Sequence, residues 1–220
     1  MIGIKVNTDN KYAYVTMNYR HIVEHNWLDD LRYLCAPTEY HEKRVTVHLI
    51  LDRGVAMEFI RHRKFSFSME STRYCNYSKD KFDNGITYII PSWLDISEGI
   101  YSKYHLQLGY RLDNQQPNCW WGTHWRNLTT MEDIGPAADT FLESLNLTEK
   151  SYLELIQNGW KPEQARAVLP NALKTELVMT GFVDDWKKFF ELRDSNKAHP
   201  QARELASPLH KEFIEKGLIK

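Results

Sequence analysis

The segment from Arg44 to Leu51 constrains the fold most, because it alternates apolar and polar residues and leads directly into a helical pattern. Its apolar residues would lie on one face of a β-strand: Val45, Val47, Leu49 and Leu51. The sequence Asp52-Arg53-Gly54 then predicts a turn. From Val55 to Arg63, apolar pairs four residues apart predict a short helix. The sequence therefore predicts a fold that contains both strands and helices.

The rest of the chain also carries both patterns, with no internal repeat and no clear linker. The predicted elements are strands at 12–18 and 85–90, and helices at 20–34, 136–158, 184–193 and 200–217, the last interrupted at Pro208. Residues 97–131 are expected to form loops and short elements, and 173–179 fit a strand or a helix equally well. We therefore expect one domain that covers residues 1–220.

The composition limits the classes of function. The formal net charge of −1 over 220 residues argues against broad electrostatic binding to nucleic acid or to anionic membranes. No apolar run approaches the roughly 18–20 residues that a membrane span needs, and the first residues lack the apolar core of a signal peptide. The three cysteines, Cys35, Cys75 and Cys119, have no paired metal-ligand spacing. We expect a cytoplasmic protein with reduced thiols.

The stretch from Arg61 to Tyr74 is the strongest candidate for a site. Four basic residues come first, and hydroxyl side chains and a further arginine follow. Forked donors beside hydroxyl groups suit a bound anion such as a phosphate. Because successive helical residues point about 100° apart, Arg61, His62 and Arg63 would face different directions. That arrangement predicts two ligands, or one large ligand.

Three motifs in this chain, in order over roughly residues 36–206, resemble those of the flavin-dependent thymidylate synthases. The first is Arg61-His62-Arg63, seven further residues and Ser71, continuing through Thr72 and Arg73 to Tyr74. The second is Ala165-Arg166-Ala-Val-Leu169-Pro170. The third is Phe190-Glu-Leu192-Arg193, followed by His199-Pro-Gln201.

The resemblance implies an α+β fold, with mixed helices around an antiparallel-type sheet. It also implies a homotetramer, with sites at subunit interfaces, that makes thymidylate (dTMP) from deoxyuridylate (dUMP). Methylenetetrahydrofolate would supply the carbon, and FAD reduced by NADPH would supply the hydride.

The resemblance also implies roles for individual residues. Arg193 would be catalytic, since it matches the arginine that polarises the uracil ring and favours its ionised N3. The FAD-binding residues would be Thr38, Arg61, His62 and Arg63. The dUMP-binding residues would be Glu58, Phe59, Ile60, Arg61, Met69, Glu70, Ser71, Thr72, Arg73, Arg166 and Arg193.

The chain departs from the family pattern at several positions. Met69 stands where many members have Glu or Gln, and Glu58 stands where Gln is common. Asp184, Asp185 and Lys188 lie where some members bring Asn and Arg to the flavin. These departures favour an alternative in which the chain binds a nucleotide or flavin without turnover.

A further alternative is a zinc peptidase. The segment His21-Ile-Val-Glu24-His25 matches a short zinc-peptidase pattern, which would put two histidines on one helical face.

Overall fold

The computed structural model describes residues 2–9, 11–79, 82, 85–113 and 116–220, and at 105–123 it describes the backbone alone. The strands are β1 (Ile2–Asn7), β2 (Tyr12–Met17), β3 (Arg44–Asp52), β4 (Ser66–Met69), β5 (Tyr101–Asp113), β6 (Gln116–Asn127) and β7 (Lys174–Phe182). The α-helices are α1 (Tyr19–Glu24), α2 (Arg53–Phe59), α3 (Pro136–Gln157), α4 (Pro162–Ala165), α5 (Val183–Arg193) and α6 (Pro200–Glu215). Short 3-10 helices follow α1 at Leu28–Tyr33 and α4 at Arg166–Val168.

The chain divides into two compact units. The first combines Met1–Glu70 with Thr175–Lys220, and the second is Ser71–Lys174. The expectation of a single domain over 1–220 stays a prediction. Among the described residues, no helix is both long and apolar enough to cross a membrane.

The first unit is built on a three-stranded sheet in which β7 lies between β3 and β4. β4 and β7 are antiparallel, with Ser66 opposite Thr180 and Met69 opposite Leu177. β1 and β2 form a separate antiparallel pair. Because β3 alternates as predicted, Leu49 and Leu51 are buried while Ile50 between them is 56% exposed.

The core of this unit is aromatic and lies between the sheet and helices α2, α5 and α6. Trp186 is fully buried and contacts the Phe65 ring edge to face, with the ring centroids 4.9 Å apart. Its indole Nε1–H donates to the carbonyl oxygen of Val45 at 3.2 Å, so the one polar atom of this side chain is satisfied. Phe59 and Phe189 pack edge to face at 5.0 Å, which joins α2 to α5.

The second unit contains a long antiparallel hairpin and helix α3. In the hairpin β5 pairs with β6 from Tyr101 opposite Asn127 to Asp113 opposite Gln116. α3 begins with Pro136 in its first turn, where the missing backbone N–H has no intrahelical partner to lose. Tyr152 of α3 is fully buried and donates its hydroxyl to the carbonyl oxygen of Cys75 at 3.3 Å.

The predicted fold class is confirmed, because helices and antiparallel strand pairs are both present. The strands predicted at 12–18 and 44–51 and the helices predicted at 136–158 and 184–193 are also confirmed as β2, β3, α3 and α5, with small shifts at their ends. The ambiguous segment 173–179 is a strand, as part of β7.

The helix predicted from Arg20 to Leu34 is wrong. α1 ends at Glu24, and Asn26 has a left-handed backbone (φ 56°) that no α-helix can contain. No residue of α1 or of the following 3-10 helix is buried. Without burial of the apolar face, the periodic pattern has little to stabilise a longer helix.

Four further expectations are corrected. The helix predicted to Arg63 ends at Phe59, so Arg61, His62 and Arg63 lie beyond α2. The strand predicted at 85–90 is one bridge, from Tyr88 to Leu173. The loops expected at 97–131 include the long hairpin of β5 and β6, although the side chains of Trp120 and Trp121 lie outside the described part. Pro208 does not interrupt α6, because buried residues on both sides of it, Ala206 and Phe213, hold the helix against the core.

Candidate active site

In the first unit, Arg193 is held by Glu58 in the last turn of α2 and by His62, which follows that helix. Its Nη1 donates to the Glu58 carboxylate at 2.6 Å, and its Nη2 donates to the Glu58 carbonyl oxygen at 3.1 Å. Its Nε donates to His62 Nε2 at 3.1 Å. We call Glu58, His62 and Arg193 the Arg193 cluster. All three donor nitrogens of the guanidinium are thus engaged, which fixes its plane and direction.

Two helix ends bring the Arg193 cluster together. Glu58 lies in the last turn of α2, and Arg193 is the last residue of α5. Between them Phe59 is buried in the core, and the guanidinium carbon of Arg193 lies 5.8 Å from the centre of its ring. The cluster therefore rests on the packed contact between α2 and α5, which limits its movement.

The contact with Arg193 determines the protonation of His62. A guanidinium group cannot accept a hydrogen bond, so His62 Nε2 must accept, and the neutral ring carries its proton on Nδ1. Partial burial, and then the positive charge of Arg193, lower the pKa of His62 below its ordinary value. His62 is therefore a neutral ring that can still donate one hydrogen bond from Nδ1.

The basic side chains next to His62 are exposed and do not belong to the Arg193 cluster. Arg61 and Arg63 are exposed, and within the described residues neither makes an ion pair or a side-chain hydrogen bond. Lys64 pairs with Asp185 at 3.7 Å. Two guanidinium groups thus keep all their donors available for a ligand.

Four other predicted dUMP-binding residues of this unit form two neighbouring pairs in the chain, Phe59 with Ile60 and Met69 with Glu70. Phe59 is fully buried, so its side chain belongs to the core and only its backbone is left for a ligand. Ile60 and Met69 are partly buried and pack against the core. Glu70 follows β4, and its backbone N–H donates to the carbonyl oxygen of Glu176 at 3.0 Å. Their predicted contacts with dUMP stay predictions.

In the second unit, Thr72 and Arg166 are brought together although 94 positions separate them. Arg166 Nη1 donates to the Thr72 hydroxyl at 3.3 Å. Thr72 is 4% exposed, whereas Arg166 is exposed and begins the 3-10 helix after the buried Ala165. This Thr72–Arg166 pair anchors one nitrogen of a guanidinium whose other donors are not used by any residue that the structure describes.

Ser71 and Arg73 flank Thr72 on an exposed turn. The Ser71 carbonyl oxygen accepts from the backbone N–H groups of Tyr74 at 3.0 Å and Cys75 at 3.3 Å. The guanidinium of Arg73 lies over the Tyr74 ring, 5.5 Å from its centre. The turn therefore presents a hydroxyl group and a second exposed guanidinium.

Thr38 and the Asp184–Lys188 segment have local partners. The backbone N–H of Thr38 donates to His41 Nδ1 at 2.9 Å, and its exposed hydroxyl lies 3.0 Å from the same nitrogen. Asp184 accepts from Lys187 at 2.9 Å, and that hydrogen bond lowers the pKa of the Asp184 carboxyl. Both segments are at the surface, and their predicted flavin contacts stay untested.

The segment proposed for a zinc site is a solvated helix end. His21 and His25 meet edge to face at 5.0 Å, and His25 also stacks on Trp27 at 4.7 Å. Glu24 bonds Arg20 at 2.5 Å. Among the described residues, no group of three or more His, Cys, Asp or Glu side chains is placed to hold a metal ion.

Sequence reasoning missed the contact between His62 and Arg193. The two residues are 131 positions apart, and no local pattern connects them. It also missed Asp194, which makes contacts to α6 directly after Arg193. An acidic residue at a helix C-terminus opposes the helix dipole, and this is the one local signal that marks it as unusual.

Comparison with known proteins identifies one family. The family model described as thymidylate synthase complementing protein matches residues 35–216. A protein of Paramecium bursaria Chlorella virus 1, named "Probable flavin-dependent thymidylate synthase", is 25% identical over 173 residues, covering 78% of this chain and 66% of the relative. The flavin-dependent thymidylate synthase of Mycolicibacterium gilvum is 28% identical over 160 residues, covering 71% of this chain and 51% of that protein.

Two further proteins are also similar to this chain. The flavin-dependent thymidylate synthase of Pyrococcus furiosus is 24% identical over 163 residues, covering 74% of this chain and 51% of that protein. The crystal structure of the Helicobacter pylori flavin-dependent thymidylate synthase complexed with FAD and dUMP aligns with a TM-score of 0.46 and 17% identity, covering 76% of this chain and 66% of that one. The chain therefore spans between about half and two thirds of the length of the curated relatives described.

Proposed function

The chain belongs to the thymidylate synthase complementing protein family, and we propose that it is an FAD-dependent thymidylate synthase. It would convert dUMP to dTMP, with 5,10-methylenetetrahydrofolate as the carbon donor and NADPH as the reductant. The observation that carries the proposal is the Arg193 cluster. A guanidinium fixed by three hydrogen bonds, with its side chain only 19% exposed, suits charge stabilisation better than a mobile surface arginine.

Arg193 would act on the pyrimidine ring of dUMP. A fixed positive charge favours the ionised form of the uracil N3 and stabilises negative charge that develops on the ring. Neutral His62 supports this role, because it accepts from Arg193 without adding a competing positive charge. Glu58 would hold the guanidinium through its carboxylate and its carbonyl oxygen.

The Thr72–Arg166 pair would bind the phosphate of dUMP. Arg166 has donors that are not used on Thr72, and forked guanidinium donors match the geometry of phosphate oxygens. Ser71 and Arg73, on the adjacent exposed turn, would add a hydroxyl group and a second positive charge. Ser71 is a ligand-binding residue in this proposal, not a nucleophile.

The residues predicted for FAD fit an anionic cofactor. Arg61 and Arg63 present donors that no described residue uses, as a pyrophosphate requires, and His62 Nδ1 offers one more donor. Thr38 would contribute its exposed hydroxyl from a neighbouring subunit. When bound, the flavin would take a hydride from NADPH and pass it on in the reduction that completes the methyl group.

We also propose a homotetramer that works in the cytoplasm, with sites at subunit interfaces. Large apolar side chains in the first unit are exposed in the single chain, and an interface between subunits would bury them. They include Val6 at 69%, Tyr33 at 70% and Leu34 at 80% exposed.

The decisive experiment measures flavin binding and turnover together. The purified protein is expected to show the absorption bands of oxidised flavin at about one FAD per chain, and to release tritium from dUMP labelled at C5. Arg193→Ala should keep the flavin and lose at least about a hundredfold in rate, and Arg193→Lys should recover only part of it. As a control, Arg126→Ala removes an exposed arginine paired with Asp133 at 2.7 Å and should leave the rate unchanged.

One observation favours a second candidate, a module that binds nucleotide or flavin without turnover. The Glu58 carboxylate lies 2.6 Å from Arg193 and partly neutralises the charge that the proposed reaction needs. Bound flavin without tritium release, under conditions where NADPH and the folate are present, would favour that candidate over the synthase.

A further inference from the structure

Asp194, the residue directly after Arg193, joins the end of α5 to α6. Its carboxylate accepts a hydrogen bond from the Ser207 hydroxyl through Oδ1. Its other oxygen, Oδ2, lies 2.8 Å from His210 Nδ1. Ser207 and His210 are three positions apart on α6, so they share one face of that helix. We call Asp194, Ser207 and His210 the Asp194 network.

The position of Asp194 is locally unfavourable. It caps the C-terminus of α5, and its backbone N–H bonds the Phe190 carbonyl oxygen at 2.8 Å. A carboxylate there meets the negative end of the helix dipole. The hydrogen bond from Ser207, and then that from His210, offset this penalty and lower the pKa of the Asp194 carboxyl. The two contacts to α6 therefore account for an acidic residue at this helix end.

The network is anchored in the core. The His210 ring stacks on the Phe190 ring with centroids 4.6 Å apart and planes 10° apart. Phe190 is 2% exposed and also packs on Trp186 and Phe213. Asp194 is thus connected through His210 to side chains that cannot move without disturbing the core.

The arrangement does not fit a catalytic triad. In a triad the imidazole bonds the hydroxyl group and activates it as a nucleophile. Here the Asp194 carboxylate lies between the hydroxyl group and the imidazole. One carboxylate oxygen accepts from Ser207, and the other accepts from His210. The network therefore holds α5 against α6 and does not activate Ser207.

We propose that Asp194 is a positioning residue for Arg193, acting through the backbone at the end of α5. The Arg193 cluster holds the guanidinium, and the Asp194 network holds the main chain one residue further on. With both ends fixed, the guanidinium keeps one direction relative to its substrate. The inference rests on the proposed synthase function for its catalytic consequence, although the effect on Arg193 itself does not depend on that function.

The test compares Asp194→Ala and Asp194→Asn with Ser195→Ala as a matched control. Ser195 is the next residue, and among the described residues its hydroxyl bonds only the Leu192 carbonyl oxygen, at 3.0 Å. Two quantities are measured in the full chain: the NMR signal of the Arg193 Nε–H group, assigned with Arg193→Lys, and kcat and KM for dUMP by tritium release.

We expect Asp194→Ala to move or broaden the Arg193 signal and to lower kcat by about tenfold, with KM changing by less than about threefold. Asp194→Asn keeps an acceptor for Ser207 and should have a smaller effect on both. Ser195→Ala should change neither. If Asp194→Ala does not fold, Asp194→Asn supplies the same comparison.

The inference is overturned if both Asp194 variants leave the Arg193 signal unchanged, or if the signal moves while kcat does not. A wild-type protein that releases no tritium would instead refute the synthase function. In that case the NMR comparison alone decides whether Asp194 positions Arg193.

Discussion

Replacing Glu58 with Gln should have opposite effects on stability and on the affinity for dUMP. The substitution removes the negative charge beside Arg193 but keeps a side-chain oxygen that can accept from Nη1. The second contact, from Arg193 Nη2 to the Glu58 carbonyl oxygen at 3.1 Å, involves the backbone and is retained. The variant therefore isolates the effect of the charge from that of the hydrogen bonds.

The stability loss follows from the 2.6 Å contact between Arg193 and Glu58. The hydrogen bond in the variant still has a charged donor, so the difference between the two proteins is the attraction between opposite charges, about 0.2–1 kcal/mol in exposed pairs. The two side chains are 19% and 38% exposed, so solvent screens part of the difference. We expect the free energy of unfolding to fall by up to about 1 kcal/mol.

The gain in affinity for dUMP comes from the removal of the repulsion between the Glu58 carboxylate and an ionised uracil ring. If an ionised ring binds on the far side of the guanidinium, a separation of roughly 7 Å from the Glu58 carboxylate would give a repulsion of about 2 kcal/mol at an effective dielectric constant of about 20. The partial exposure of Glu58 reduces this value by about half. A uracil ring that ionises beside Arg193 should therefore bind about 1 kcal/mol more tightly in the variant, or about fivefold.

Urea unfolding and calorimetric titration with dUMP, both with FAD present, measure the two effects. Glu143→Gln is the matched control, since Glu143 pairs with Lys103 at 2.7 Å with similar exposure, 21% and 26%. It should lose similar stability without any gain in affinity. If Glu58→Gln weakens dUMP binding, the reasoning that the Glu58 charge opposes an anionic ring is wrong.

Two further predictions concern the first unit. Because the pKa of His62 is lowered in the folded protein, the imidazole binds a proton more readily in the unfolded chain. The free energy of unfolding should therefore be highest above pH 6.5 and should fall as the pH drops from 6.5 towards the pKa of the folded state. Urea unfolding across this range should show a smaller slope in His62→Gln, and equal slopes would refute the assignment. Asp52 caps α2 by accepting from the Val55 N–H at 2.9 Å, so Asp52→Ala should lower the free energy of unfolding by about 1–2 kcal/mol. Asp52→Asn keeps the acceptor and should lose much less; equal losses in a thermal melt would contradict a capping role.

The parts of the fold that the sequence predicted well are those where periodicity and burial agree. In α5, the apolar residues Trp186, Phe189 and Phe190 recur at helical spacing, and all three are buried. In β3, the alternating apolar residues face the core. These patterns are reliable because the same core contacts that bury the side chains also stabilise the element.

The helix prediction failed where the apolar face of a periodic segment has no core to pack against. The residues from Arg20 to Leu34 repeat at helical spacing, but the left-handed Asn26 ends the helix and leaves Val23 and Leu28 about half exposed. The hairpin of β5 and β6 was missed for the opposite reason. Its register shifts between Gln107 and Tyr110, and its pairing is set by cross-strand contacts that a linear pattern does not record.

The sequence predicted which residues belong to the candidate site, but not how they contact one another. Motif resemblance selected Arg193, Glu58 and His62 from distant parts of the chain, but not the hydrogen bonds that join them. The tautomer of His62 follows from its contact with Arg193, and the partial neutralisation of Arg193 follows from Glu58. Both depend on the three-dimensional arrangement of these side chains, which the residue types alone do not specify.

The discontinuous first unit determines the order in which the chain can fold during synthesis. β7 lies between β3 and β4 in the sheet, but nearly all of the second unit, Ser71–Lys174, is synthesised after β4 and before β7. A ribosome adding about 5–20 residues per second needs roughly 5 to 20 seconds to make that intervening stretch. During this delay β3 and β4 lack their shared partner and expose unpaired edges, which are prone to aggregation. Chaperone dependence in the cell should therefore be greatest before residue 182 leaves the ribosome, and a slower translation rate should increase it.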